Sequence, residues 1–290
     1  MTIAPFACLT APNPGPFTGT GTNTYLVGQR TLAVIDPGPA DAAHTQAILT
    51  TAGTRPITHI LLTHAHRDHV DGLTALQAAT GALTAGFSRH AAMRARTGTL
   101  SDSPSGGDFV DWSFIPDRHL EHGSIVEIDG LTLEAVHTPG HAPDHLCFAL
   151  DGPQPVLFSG DHVMGWSTSV IAPPEGNMGD YLRSLEALLA REERTYLPGH
   201  GPAIDDGPRT ARAYLLHRQM REQAILNAVR SGLATVASIT SKVYDGLAAD
   251  LVKAARLSVQ AHLELLAAKQ LISFEGPISQ AERIVSVKVD

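Results

Sequence analysis

Over the first 200 residues the apolar positions fall into short β-rich runs bounded by Gly, Pro, Asn or Asp. Residues 23–28 (NTYLVG) and 31–36 (TLAVID) predict a hairpin turning at Gly28-Gln29-Arg30. Residues 41–52 predict a helix capped by Asp41 and stopped by Gly53. Residues 59–63 (HILLT) read as a buried strand, and residues 70–79 as a helix closed by Gly81. Further strands are expected at 125–128, 131–136, 145–150, 155–159 and 195–197, with a helix at 180–190. Strands alternating with helices predict an α/β layered domain. Residues 96–122 break the pattern with Gly, Ser, Pro and Asp, yet they carry Phe109, Trp112 and Phe114. That mixture fits an ordered loop over a site, or one that covers core.

Past Gly207-Pro208 the pattern turns helical, at 209–231, 236–244 and 251–269, and ends in two strands at 271–275 and 283–289. Three helices and a hairpin form the winged-helix pattern. The expected division is therefore 1–207 and 208–290. Charge divides the same way. Residues 1–208 hold 10 basic and 22 acidic side chains, and residues 209–290 hold 11 and 7, so the net −8 is −12 plus +4. The helix over 251–269 carries Lys253, Arg256 and Lys269, but Leu251, Ala255, Val259, His262 and Leu266 recur at helical spacing. Packing or dimerisation is expected of it ahead of nucleic-acid contact. The N-terminus lacks a basic region followed by an apolar run, and no long apolar stretch occurs, so neither a signal peptide nor a membrane span is expected. Cytoplasmic residence follows as the default. Cys8 and Cys147 are too few for a disulfide scaffold or a four-thiolate zinc site.

Histidine supplies the chemistry. Of 15 histidines, 11 lie between His59 and His162. Residues 63–72 read THAHRDHVDG, an HxHxDH arrangement at the end of a predicted strand. On an extended turn His64 and His66 project to one side and can share a metal, and Asp68 and His69 can address a second one. Thr138-Pro-Gly-His141, Ser159-Gly-Asp161 and Leu197-Pro-Gly-His200 each put a further donor after a strand end, where α/β sites are built. His59, His137 and His145 are expected to be core or to support the ligands. His162 could face the pocket. His44, His90, His119 and His122 show no evident partner, while Asp36 and Asp144 could orient metal-bound imidazoles.

These motifs, in this order, resemble the metallo-β-lactamase superfamily. The stretch NPGPFTGTGTNTYLVG, the IDPG at Asp36, HTPGH and the C-terminal winged helix resemble its β-lactamase-like protein 2 family. The resemblance implies an αββα sandwich followed by a small winged-helix domain, and two zinc ions. It implies His64, His66 and His141 on one ion, Asp68, His69 and His200 on the other, and Asp161 bridging. Iron or manganese are the alternative metals, and a single-iron dioxygenase the alternative centre. The implied activity is hydrolysis by a metal-bridging hydroxide, with Asp68 orienting it and receiving its proton.

An ester, thioester or lactone of a small or moderately apolar molecule is the expected substrate, with Phe109, Phe114 and Trp166 as its apolar surroundings. A metal-dependent endoribonuclease is the alternative, so RNA stays open as a partner, as does a homodimer. A DNA-binding regulator is the reading from another class. Acidic composition weighs against both nucleic-acid readings, except at the +4 C-terminal unit.

Overall fold

A computed structural model of the chain describes residues 5–88, 109–111, 113–274 and 285–287. Among the described residues, one sheet has the order β1 (Phe6–Thr10), β2 (Asn23–Val27), β3 (Leu32–Ile35), β4 (Ile57–Leu61), β5 (Leu83–Gly86) and β6 (Arg118–His119). Its first three strands pair antiparallel and the rest parallel. The second sheet is formed by β7 (Ile125–Ile128), β8 (Leu131–His137), β9 (Leu146–Leu150), β10 (Val156–Gly160) and β11 (Thr195–Pro198). These lie in the order β11-β10-β9-β8-β7, antiparallel except for β10 with β11.

Side-chain alternation along the strands decides the layers. Tyr25 and Val27 of β2, Ala33 and Ile35 of β3, and Phe148 of β9 meet in the core between the sheets. Their neighbours Leu26, Leu32 and Val34 face outward onto Ile48 of helix α1 (Ala42–Ala52) and Leu76 of helix α3 (Leu73–Thr80). Cys147 and Ala149 face outward from the second sheet onto Tyr181, Leu185 and Leu188 of helix α4 (Met178–Leu188). Both faces of each sheet are thus covered, giving the expected αββα sandwich. It also explains why the strands read as near-continuous apolar runs.

Helix α1 starts and stops as predicted: the Asp41 carboxylate accepts from the His44 N–H at 2.6 Å, and Gly53 caps the end at φ 62°. The helix expected over 70–79 is instead a short α2 (Arg67–Val70) followed by α3. Gly72 lies between them, its N–H bound to the Gly38 carbonyl at 2.8 Å, and an added Cβ would stand 2.7 Å from the Pro37 carbonyl. The strands β1, β5 and β6 are absent from the sequence expectations; they are edge or short strands defined by their neighbours. In the long loop, residues 96–108 and Trp112 lie outside the described residues. Val110 bridges to His66, Phe114 packs with Leu62, Ala65 and Val70, and Phe109 is exposed. The described end of that loop therefore both covers core and touches the HxHxDH turn.

The C-terminal unit is α5 (Gly207–Arg230), α6 (Val236–Val243), α7 (Val252–Ala268) and a wing of β12 (Ile272–Phe274) with β13 (Val285–Val287). Residues 275–284 and 288–290 lie outside the described residues. The second half of α5 (Ile225, Val229) packs with Ile239, Val259, Leu266 and Ile272, whereas its first half (Ala211, Tyr214, Leu215) packs on α4 and the second sheet. Helix α7 buries Ala255, Val259, His262 and Leu266, as its spacing predicts. Leu251 is exposed, because it closes a 3-10 turn ahead of the helix. Among the described residues no helix is long and apolar enough to cross a membrane.

Candidate metal centre

The site lies at the strand ends where the two sheets meet. His64 and His66 follow β4, Asp68 and His69 ride on the short α2, His141 follows β8, Asp161 follows β10 and His200 follows β11. Close backbone packing sets these turns. Gly140, at φ 143°, sits where a Cβ would meet the Tyr181 Cα at 2.4 Å, and Gly199 where one would meet Asp161 Oδ1 at 2.5 Å.

Donor atoms of these residues converge in three overlapping sets, each within 4.8 Å: His64, His66 and His141; His64, His69 and Asp161; Asp68, His69 and His200. His66 Nδ1 lies 3.0 Å from His141 Nε2. His200 Nε2 lies 3.3 Å from Asp68 Oδ2 and 3.4 Å from Asp161 Oδ2, and His69 Nε2 lies 3.5 Å from an oxygen of each carboxylate.

The outer nitrogens fix the tautomers. His69 Nδ1 donates to Asp36 Oδ2 at 2.8 Å, His141 Nδ1 to the Val170 carbonyl at 2.6 Å, and His200 Nδ1 to the Gly21 carbonyl at 3.2 Å. His66 Nε2 donates to Glu175 Oε1 at 3.1 Å. The Thr63 hydroxyl donates to Asp36 Oδ2 at 2.7 Å, so it accepts from His64 Nδ1 at 2.9 Å. Each imidazole therefore presents a lone pair inward, beside two carboxylates. His64 Nε2, His69 Nε2 and Asp161 Oδ1 are buried without a hydrogen-bond partner. Inward imidazole lone pairs packed against carboxylates repel one another unless a cation sits among them. The donor set, neutral imidazole and carboxylate, suits zinc, iron or manganese.

Electrostatics point the same way. Burial opposes charge on His69 and His200, yet Asp68 and Asp161 raise His69 well above its ordinary value, and Asp161 lifts His200 to about 9. Burial, then the imidazoles around it, hold His64 well below. Burial works against the Asp161 carboxylate, but His200 and His69 hold its pKa well down. The pocket thus demands positive charge where the inner nitrogens meet the carboxylates.

All seven motif residues named from the sequence come together. Asp36 orients His69 directly and His64 through Thr63, and it holds a left-handed backbone at φ 52° to do so. Asp144 accepts from the Ala65 N–H at 3.1 Å inside the turn. His145 accepts from the Asp161 N–H at 3.1 Å and so supports one of the clustered carboxylates. His162 packs its ring 4.8 Å from that of Tyr181 and stays out of the cluster. His44, His119 and His122 do have partners, namely Thr24, Ser88 and the His137 N–H. His90 lies outside the described residues. Sequence reasoning missed Glu175, Thr63, and the Gly21 and Val170 carbonyls. Thr63 adjoins the motif and could have been found, whereas a carbonyl leaves no trace in composition. Cys147 is buried, and burial pushes its thiol up to about 12.

Exposed aromatic side chains lie next to residues of the cluster: Phe109 adjoins Val110, which bridges to His66, and Trp166 lies against Gly201, next to His200.

A profile of the Metallo-beta-lactamase superfamily matches residues 17–200, and one of the Beta-lactamase associated winged helix domain matches residues 235–278. Lactamase-like protein aptB of Emericella nidulans is 32% identical over 284 residues, covering 93% of this chain and 83% of its own length. Atrochrysone carboxyl ACP thioesterase AgnL7 of Paecilomyces divaricatus is 34% identical over 235 residues, covering 79% of this chain but 66% of its own. Metallo-beta-lactamase family protein TTHA1429 from Thermus thermophilus shares the fold, with a TM-score of 0.76 at 23% identity over 98% of this chain and 99% of that one.

Proposed function

The chain belongs to the metallo-β-lactamase superfamily, and on that premise we propose that it is a dinuclear zinc hydrolase acting on an acyl thioester. The observation that carries this is the inward convergence of five imidazole lone pairs and two carboxylates. His64, His66 and His141 would hold one ion, Asp68, His69 and His200 the other, with Asp161 between them. When bound, such ions supply Lewis acidity that acidifies water and polarises a carbonyl. Two complete three-ligand sets favour two ions over a single iron. Residues 1–207 form the catalytic unit in this reading, and residues 208–290 support it.

The chain's own residues supply orientation and proton handling. Asp68 is the more accessible carboxylate, its side chain 30% exposed against 9% for Asp161. It accepts from the Thr22 hydroxyl at 3.3 Å, so its carboxylate is fixed at the solvent side of the cluster. There it can take the proton of an attacking water. Phe109 and Trp166, beside residues of the cluster, would offer aromatic surface to the acyl group. Thioester is favoured over other acyl bonds because relatives such as AgnL7 are named as thioesterases. The burial of one face of α7 supports packing as the role of the winged helix, against an RNA reading.

The test is metal analysis with thiol release from aryl and alkyl acyl thioesters. About two zinc ions per chain, turnover lost to a chelator and restored by Zn2+ are expected. A metal-loaded protein that is inert to thioesters, yet cleaves RNA in a strongly salt-dependent manner, would overturn the substrate assignment.

A further inference from the structure

The segment from Val163 to Asn177 joins β10 to α4, and it holds two of the site histidines from behind. The Val170 carbonyl accepts from His141 Nδ1 at 2.6 Å, and Glu175 Oε1 from His66 Nε2 at 3.1 Å. The C-terminal unit grips this segment in turn. Arg218 of α5 donates from Nη2 to the Ser169 carbonyl at 2.6 Å, one peptide before the carbonyl that binds His141. Tyr214, one turn earlier on α5, donates its hydroxyl to the Ser167 carbonyl at 2.7 Å and also meets the Met164 carbonyl.

Arg218 is 4% exposed. Its Nη1 donates to Ser258 Oγ of α7 at 3.3 Å, and its guanidinium lies 5.7 Å from the Tyr181 ring centroid of α4. Among the described residues no carboxylate pairs with it, and its Nε has no partner. A buried guanidinium so placed is costly, and an apolar side chain would glue the same helices together more cheaply. What an apolar side chain could not do is hold a carbonyl in a fixed direction. The planar fork of arginine does this, spanning α7 and the Ser169 carbonyl at once.

We infer that Arg218 is a positioning residue through which the C-terminal helical unit fixes the metal centre. It holds the Ser169 carbonyl, so that the next peptide presents the Val170 carbonyl to His141. On this account the C-terminal unit serves the catalytic site directly. The inference rests on the metal-centre reading above.

Chelator competition on the full chain, loaded with Zn2+ or Co2+, measures the two ion affinities separately. Arg218→Met is expected to weaken the ion held by His64, His66 and His141 by about tenfold, and to leave the other ion within about twofold. The Co2+ absorption bands of the first site should shift with it. Arg218→Lys, which keeps charge but not the fork, should restore part of the loss. Ile239→Ala, a cavity in the C-terminal core away from this segment, should lower the melting temperature and leave both affinities unchanged. Wild-type affinities in Arg218→Met, or an equal loss at both sites that Ile239→Ala reproduces, overturn the inference. If Arg218→Met does not fold, Tyr214→Phe decides, since it cuts the same segment loose at two carbonyls. An unchanged first site in that variant overturns the inference as well. Failure of the wild-type chain to bind two ions would instead overturn the metal-centre reading, before any variant is compared.

Discussion

Replacing Asp36 by Asn changes one heavy atom and reverses the hydrogen bonding under the candidate metal centre. Asp36 is 2% exposed and accepts three bonds: Thr63 N–H on Oδ1 at 2.8 Å, and the Thr63 hydroxyl and His69 Nδ1 on Oδ2 at 2.7 and 2.8 Å. An Asn that keeps its oxygen on the Thr63 N–H turns an NH2 group toward the other two. His69 must then accept at Nδ1, which moves its proton to Nε2. That proton points into the cluster, where Nε2 lies 3.5 Å from Asp68 and Asp161, and a protonated nitrogen cannot bind a metal. The Thr63 hydroxyl, which also receives His64 Nδ1, loses its acceptor too. Asn tolerates a left-handed backbone as Asp does, so the φ of 52° adds no penalty. Loss of a partner of this kind costs about 10- to 100-fold in metal affinity, or about 1.4 to 2.7 kcal/mol. The ion nearest His69 should suffer more than the one His64 shares. Two bonds to a buried carboxylate, at about 1.5–3 kcal/mol each, set the loss in stability at about 3 kcal/mol or more. Chelator competition and urea denaturation of the metal-stripped chain read the two effects separately. An Asp36→Asn protein with wild-type affinity for both ions and an unchanged midpoint would refute the tautomer argument.

Asp68→Ala should abolish turnover, while circular dichroism and the denaturation midpoint stay near wild type; full activity in this variant removes Asp68 from the mechanism. Gly140→Ala should cost more than about 2 kcal/mol and loosen His141, because the φ of 143° and the Tyr181 backbone 2.4 Å away leave no room for a Cβ. A midpoint unchanged in urea would show that the turn can move. His262 is buried in the C-terminal unit, and burial, then Arg218 and Arg221, lower it from its ordinary 6.5 to about 3. The folded chain therefore refuses a proton that the unfolded chain accepts, so stability is lost as pH falls from about 6.5 toward about 3. At pH 5 this amounts to about 2 kcal/mol. His262→Leu should be less sensitive than wild type between pH 7.5 and 5 by that amount, and equal slopes would dismiss the effect.

How much of this was legible beforehand varies by element. The hairpin of β2 and β3, the capped α1, the strands β7 to β10 and the three C-terminal helices follow from period, caps and turn residues. Helix α3 was legible too, but the break ahead of it at Gly72 was not. That break exists because the 37–39 backbone lies against it, a contact from outside the local window. The short β5 and β6 hold their conformation by pairing with neighbours, which a local window does not contain.

The donors of the candidate metal centre were determined by the sequence itself, because HxHxDH, Thr-Pro-Gly-His, Ser-Gly-Asp and Pro-Gly-His each join a strand to a turn in a few residues. Charge by half-chain and the packing face of α7 were likewise fixed locally. Tertiary structure decided which nitrogen of each histidine faces the centre. Asp36 reaches His69 across 33 positions, Glu175 reaches His66 across 109, and the Gly21 carbonyl reaches His200 across 179. It also decided that Arg218, one of five arginines on α5, is the one buried behind His141. The physical reason is that a ligand's identity is a property of one residue. Its tautomer and direction belong to a pair, and only the folded chain brings that pair together.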